Sequence, residues 1–256
     1  MAEPARIAGT WLGQAGFRIE IEGATVLVDP WASPHELRLI PPPPAGLTVE
    51  GIDCVLVTHE HLDHLDLPFL PTVMEGSPGA RLVVPTPLAP MLEGLVPRDR
   101  VVTVRPGDVL DLDGIEVRVV PAIHGVTMDD AYGDGSSLGA GPRFVGYVVG
   151  TTTRVYHAGD TIVTDLVVAS LEPLGIDVAL LPVNGRDPER EAREIVGNMD
   201  ASEAVELAVS IGASRLVPLH WDGFAGNTVD PGAAADLAAG RVEVTIPTRF
   251  DPFELA

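Results

Sequence analysis

The sequence predicts an α/β fold built from two strand-rich runs, each followed by alternating helix and strand. Three observations predict it. Short apolar runs bounded by Gly, Pro and Asp recur along the chain, as buried strands do. A helical apolar stripe opens at Asp200. Two of the apolar runs end on histidine, Cys54-Val-Leu-Val before Thr58-His59 and Leu216-Val-Pro-Leu before His220, which suggests two similar halves. A chain of 256 residues, 46% hydrophobic, suffices for one packed domain spanning 1–256.

Taken in order, Phe17-Arg-Ile-Glu-Ile alternates as a half-buried strand, Glu22-Gly23 turns, and Thr25-Val-Leu-Val follows as a buried strand, so a hairpin is expected. Asp29-Pro30 ends it. Residues 31–50 contain four consecutive prolines, Pro41 to Pro44, which cannot continue a ladder. That stretch reads equally as a stiff crossover or as a wall of a binding pocket. A helix is expected over 67–74, shortened by Pro68 and Pro71, then a strand over 81–84. A helix to Leu95 should follow, with Thr86 as its N-cap and Pro87 in its first position. Strands are expected over 101–104 and 115–120. Residues 125–142, rich in Gly, Ser and Asp, read as a solvent loop, with a lid as the alternative. Further on, strands are expected over 145–149, 154–157, 177–181, 215–219 and 242–246, and helices over 166–174 and 232–239. The clearest helix starts at Asp200. Glu203 completes a capping box there, Ala204, Val205, Leu207, Ala208 and Ile211 form the apolar face, and Gly212 ends it.

The chemistry concentrates in Thr58-His59-Glu60-His61-Leu62-Asp63-His64. Imidazole and carboxylate suit zinc and harder divalent ions. His59 and His61 would point the same way in extended backbone, and a helical turn after them would carry Asp63 and His64 to a second position. A structural zinc site would want cysteine or a closed set of four ligands. The zincin pattern is excluded, because the residue four after His59 is Asp63. No Walker loop and no Gly-x-Ser-x-Gly elbow occurs.

His59-x-His61-x-Asp63-His64 resembles the signature of the metallo-β-lactamase superfamily, and the likeness continues along the chain. His124 in Pro121-Ala-Ile-His124-Gly125, Asp160 in Tyr156-His-Ala-Gly-Asp160-Thr161, and His220 in Leu216-Val-Pro-Leu-His220-Trp221 match its later ligands. Trp11-Leu-Gly-Gln-Ala-Gly-Phe17, Val26-Leu-Val-Asp29-Pro30, Leu181-Pro-Val-Asn184-Gly185 and Pro218-Leu-His220-Trp-Asp222 are similar to the L-ascorbate-6-phosphate lactonase-like branch of metal-dependent hydrolases. The resemblance implies a four-layer αββα sandwich. It assigns His59, His61 and His124 to one metal, Asp63, His64 and His220 to another, and Asp160 to the bridge between them, with Asp63 and Asp160 also catalytic. It implies a hydrolase that uses a metal-bound hydroxide on a lactone or other small ester, phosphorylated or not; a metal-dependent phosphodiesterase is the alternative. The cofactors would be two divalent ions; zinc, manganese and iron all suit this donor set. The diiron oxygen-reducing proteins of the superfamily carry Glu where this chain has His61, which argues against that class.

Several residues keep two readings. Asp29 either orients a ligand histidine or terminates a turn. Asn184, Arg186 and Asp222 are candidates for binding substrate, Arg186 through its guanidinium fork. Alternatively Arg186, Arg190 and Arg193 pair with Asp187, Glu189, Glu191 and Glu194 on a solvated helix. His157 and Trp221 read as packing residues, and His35 as a solvated one.

The formal net charge of -21 repels phosphate backbones, so a small-molecule substrate is expected and nucleic acid is not. All 16 basic residues are arginine, which excludes lysine Schiff-base chemistry. Cys54 is the single cysteine and sits in an apolar strand, where it serves packing. No secretory leader or membrane-length apolar run is visible, so a cytoplasmic protein off the membrane is expected. Assembly into a homo-oligomer is left open.

Overall fold

The computed structural model describes residues 7–125, 142–193 and 196–256, so all but the two ends of the expected 125–142 loop lie outside the described residues. Two seven-stranded sheets carry the fold. In the first, β1 (Ala8–Gly13), β2 (Gly16–Ile21) and β3 (Ala24–Val28) form an antiparallel meander. Three parallel strands then extend it, β4 (Cys54–Leu56), β5 (Arg81–Pro85) and β6 (Val101–Val104). In the second, β7 (Val109–Leu112), β8 (Ile115–Pro121), β9 (Val145–Val149) and β10 (Val155–His157) pair antiparallel. Parallel pairing resumes through β11 (Val178–Pro182), β12 (Arg215–Leu219) and β13 (Glu243–Val244).

Side chains that alternate along each strand sort the core into three apolar layers. Phe17, Ile19, Val26, Val28, Cys54 and Leu56 face Tyr147, Val149, Val178, Leu180 and Val217 between the sheets. The intervening residues Leu27, Val55 and Val57 face outward onto α2 (Leu70–Gly76) through Leu70, Val73 and Met74. On the far side, Ala179, Leu181 and Leu216 meet α3 (Asp165–Leu171), α5 (Ala201–Ser210) and α6 (Gly232–Ala238). The result is the expected αββα sandwich. Two four-residue helices complete the described set, α1 (Ala45–Thr48) and α4 (Pro188–Glu191). The capping box of α5 forms as expected, with Glu203 N–H donating to Asp200 and the Asp200 N–H to Glu203. Gly212 follows it at φ 74°.

Four expectations need correction. The helix expected over 67–74 begins only at Leu70, because the turn before it is closed by Asp66, which accepts the Phe69 N–H. The segment Thr86–Leu92 is a 3₁₀ helix, not an α-helix. Thr86 does not cap it; its hydroxyl donates to Val104 O at 3.1 Å, and Pro90 removes an N–H that an α-helix would need. The strand expected over 242–246 shrinks to Glu243–Val244, and the chain continues to β14 (Pro252–Glu254), which pairs with β1. β1 and β7 were not anticipated. β7 carries two exposed positions and so offers only a weak pattern.

The sheets are joined near the ends of β4 and β9. The Tyr147 hydroxyl donates to Val57 O at 2.7 Å, and the Val145 N–H to Thr58 O at 3.1 Å. No helix among the described residues is long and apolar enough to cross a membrane.

Candidate metal centre

The residues after β4, β8, β10 and β12 meet at one edge of the sandwich, and there the histidines and aspartates converge. After β4 the chain turns at His61, as expected, with His59 and His61 in one candidate group and Asp63 and His64 in the other. The N–H groups of His64 and Leu65 both return to His61 O, so a single tight turn presents His61, Asp63 and His64. His59 Nε2 lies 2.9 Å from His61 Nδ1.

Two groups of candidate ligands result. His59, His61, His124 and Asp160 offer atoms within 4.8 Å of one another, and so do Asp63, His64 and His220. Asp160 reaches both: Oδ2 lies 3.5 Å from His124 Nε2 and 3.3 Å from His220 Nε2, and Oδ1 lies 3.4 Å from His64 Nε2. A Cβ at Gly159, where φ is 61°, would come within 2.8 Å of the Thr58 side chain. Glycine there lets the Asp160 turn close against the segment after β4.

The frame around these ligands is strained. Gln14, Asp29 and His220 are all non-glycine residues at φ 52°, 46° and 61°. Such backbone costs on the order of 1–3 kcal/mol per residue and persists where surrounding bonds over-determine it. Those bonds are present. Asp29 accepts Thr58 N–H at 2.8 Å and the Thr58 hydroxyl at 2.7 Å, and lies 2.6 Å from His64 Nδ1. It therefore fixes the ring of His64 with Nε2 turned toward Asp160. Gln14 was not assigned a role from sequence, yet its side-chain N–H₂ donates to Asp63 Oδ2 at 2.9 Å.

The donor chemistry fits divalent cations. His64 Nε2, both ring nitrogens of His124 and Asp160 Oδ1 are buried without a hydrogen-bond partner. Buried polar atoms are rarely left so, and a bound ion satisfies such a set. Electrostatics separate the groups. Burial and neighbouring imidazoles keep His59 neutral, and burial brings His124 down to about 3 despite Asp160. Burial opposes charge on His64 and His220 too, but there the carboxylates win. Asp160, Asp63 and Asp29 raise His64, and Asp160 and Asp63 push His220 up to about 9. In return, against the effect of burial, those imidazoliums hold Asp63 and Asp160 below the usual carboxylate range. Without an ion, the facing carboxylates favour the protonated forms of His64 and His220.

The remaining expected residues divide. Asn184 is 4% exposed and lines a cavity of about 450 Å³ whose wall also includes His61, Asp63, His124, Asp160 and His220. Arg186, expected to face that edge, does not line the cavity. An isolated bridge between Asn184 and Asp200 carries the chain across the start of α5. Arg186 there forms a two-pronged bond to Glu203, both distances 2.6 Å. Arg190 and Arg193 line the cavity instead. The Asp222 carboxylate is turned to the Gln14 N–H at 2.9 Å and to Arg249 at 2.5 Å, so it braces the frame and is not part of the cavity wall. His157 Nε2 donates to Ala15 O at 2.8 Å, and its Nδ1 accepts the Gly159 N–H, apart from the ligand groups. Trp221 stacks on Trp11 at 4.6 Å. Leu37 of the proline-rich stretch reaches the cavity wall.

Comparison with known proteins adds lineage to this geometry. Residues 24–221 match the family described as "Beta-lactamase superfamily domain". A metal-dependent hydrolase of Methanopyrus kandleri is 34% identical over 230 residues, covering 87% of each chain. A Salmonella heidelberg protein named "Probable L-ascorbate-6-phosphate lactonase" is 27% identical over 263 residues, 89% of this chain and 73% of that one. Among solved structures, a metallo hydrolase from the archaeon Ignicoccus hospitalis superposes with a TM-score of 0.71 at 21% identity, covering 98% of this chain and 99% of the other.

Proposed function

The chain belongs to the beta-lactamase superfamily, among its metal-dependent hydrolases, and from that premise we propose that it cleaves a small ester or lactone with two divalent ions held by the seven converging side chains. The observation that carries this reading is Asp160, whose two oxygens face both ligand groups at once. Divalent ions held there would supply Lewis acidity and bring water toward ionisation near neutral pH. The protein does the rest. Asp29 and Gln14 hold His64 and Asp63 in place. Asp63 lies on the cavity wall, placed to take a proton from the attacking water. Phe144 packs against the rings of His59 and His124.

The cavity wall lacks the acidic excess of the chain. The sequence has 37 acidic residues and 16 basic ones, yet among the described residues only Asp63 and Asp160 bring carboxylates to this wall, against Arg190 and Arg193. Arg190 is fixed by Asp187 at 2.5 Å, Asn227 at 2.6 Å and Asn184 O at 3.1 Å. Those three bonds leave two of its five N–H groups for a ligand. Arg193 has no ion pair among the described residues. This favours a substrate with an anionic group, which also accommodates the lactonase relative.

The test is a zinc- or manganese-loaded assay across a lactone panel, with bis-p-nitrophenyl phosphate as the phosphodiester probe. Lactones should turn over and the phosphodiester should not; the reverse would select the phosphodiesterase. Arg193→Ala should raise KM about tenfold for an anionic lactone and little for a neutral one, as loss of one charge-assisted contact implies. Arg186→Ala should change neither.

A further inference from the structure

Gln14 uses every polar atom it has, at 1% exposure. Its N–H donates to Asp222 Oδ1 at 2.9 Å. Its carbonyl accepts the His220 N–H at 2.9 Å and the Trp11 indole N–H at 3.0 Å. Its side-chain Oε1 accepts the Gly223 N–H at 2.9 Å. Its Nε2 donates to Asp63 Oδ2 at 2.9 Å and lies 3.0 Å from His220 Nε2.

Gly223 dictates which way the amide points. A backbone N–H only donates, so the atom facing Gly223 must be oxygen, and the N–H₂ is thereby turned to Asp63. Residue 223 must also be small. A Cβ there would fall 2.3 Å from Gln14 Oε1 and expel the amide.

The partners come from both sheets. Gln14 sits in the turn between β1 and β2, Asp63 follows β4 of the same sheet, and 220–223 follow β12 of the other. One N–H takes one lone-pair direction of Asp63 Oδ2, and a carboxylate has about four. The others stay open to a cation.

We propose that Gln14 is a positioning residue for the Asp63, His64 and His220 group, holding Asp63 of one sheet to the 220–223 segment of the other through Gly223 and thereby setting the affinity of that group for its ion. The inference rests on the two-ion reading above. The first group, His59, His61 and His124, has no bond to Gln14 and should not depend on it.

Stepwise Zn²⁺ affinities, measured by chelator competition on metal-free protein, test this. Gln14→Met keeps the length of the side chain and removes its bonds; Gly223→Ala displaces the amide from the other side. Each should weaken one equivalent about tenfold or more, the usual effect of losing a group that orients a ligand, and leave the other unchanged. In the wild-type chain the Gln14 side-chain amide resonance should shift with one equivalent of Zn²⁺ and not the other, a readout that survives if both variants misfold. Unchanged affinity for both equivalents in both variants, equal weakening of both steps, or an amide that responds to neither equivalent would overturn the inference while two ions still bind. A wild-type chain that takes up one ion only would overturn the two-ion reading and this inference with it.

Discussion

The two candidate ligand groups share Asp160 and little else. The first is three imidazoles kept neutral by burial, packed on Phe144 and braced chiefly by one another and Thr58. The second adds Asp63, is charged in the metal-free chain, and is tied down by Asp29 and Gln14. The difference follows from what burial costs. A neutral imidazole enters an apolar wall with modest loss, whereas a carboxylate there needs a cation or several donors. So the acidic group acquired supports from distant parts of the chain, and the histidine group needed few.

The sharpest way to break the comparison is to remove what the groups share. Asp160→Ala should lower activity by more than about a hundredfold and lose at least one ion, since even residues that only orient a ligand cost about 10–100-fold in affinity. Elemental analysis checks it, and unaltered metal content would deny Asp160 its bridging place. A smaller effect should separate the groups. Asp29→Ala frees the ring of His64 and should weaken one ion about tenfold while sparing the other, as stepwise titration would show.

The smallest effect is a pH dependence confined to the metal-free chain. His64 and His220 have folded pKa values raised above the unfolded value, so their contribution is complete below about pH 6.5 and is lost as pH rises, for His220 through about 9. The melting temperature of metal-free protein should therefore fall by roughly 5–10 °C from pH 6.5 to 9.5, a few kcal/mol at this chain length. Zinc should abolish the slope, because the ion replaces the protons. Parallel melting curves with and without zinc would contradict the charge difference between the groups.

Much of the fold was legible because buried strands announce themselves in short β-branched runs and α5 announces itself in its capping box. What was missed has physical causes. β14 is three residues with only one half-buried side chain, and it is a strand because β1 offers an open edge to pair with. Thr86-Pro87 looked like a helix start, but the hydroxyl found Val104 O, a partner eighteen residues away. Gln14 carries no sequence signal of its own, because an amide becomes a support only when Gly223 and Asp63 lie on either side of it. The sequence pointed to Arg186 as the substrate-binding arginine, but its fork is taken by Glu203, whereas Arg193 lines the cavity.

Residue type and short spacing were enough to mark the candidate donors, the strands that precede His59, His124 and His220, and the alternation that sorts residues into layers. It took the folded chain to put Asp160 between two candidate groups, to brace one of them with Asp29 and Gln14, and to bring arginines to the wall of a chain dominated by acids. Those outcomes rest on contacts between segments tens to hundreds of residues apart, and hydrogen bonds and charge act over a few ångströms of space, whatever the distance along the chain.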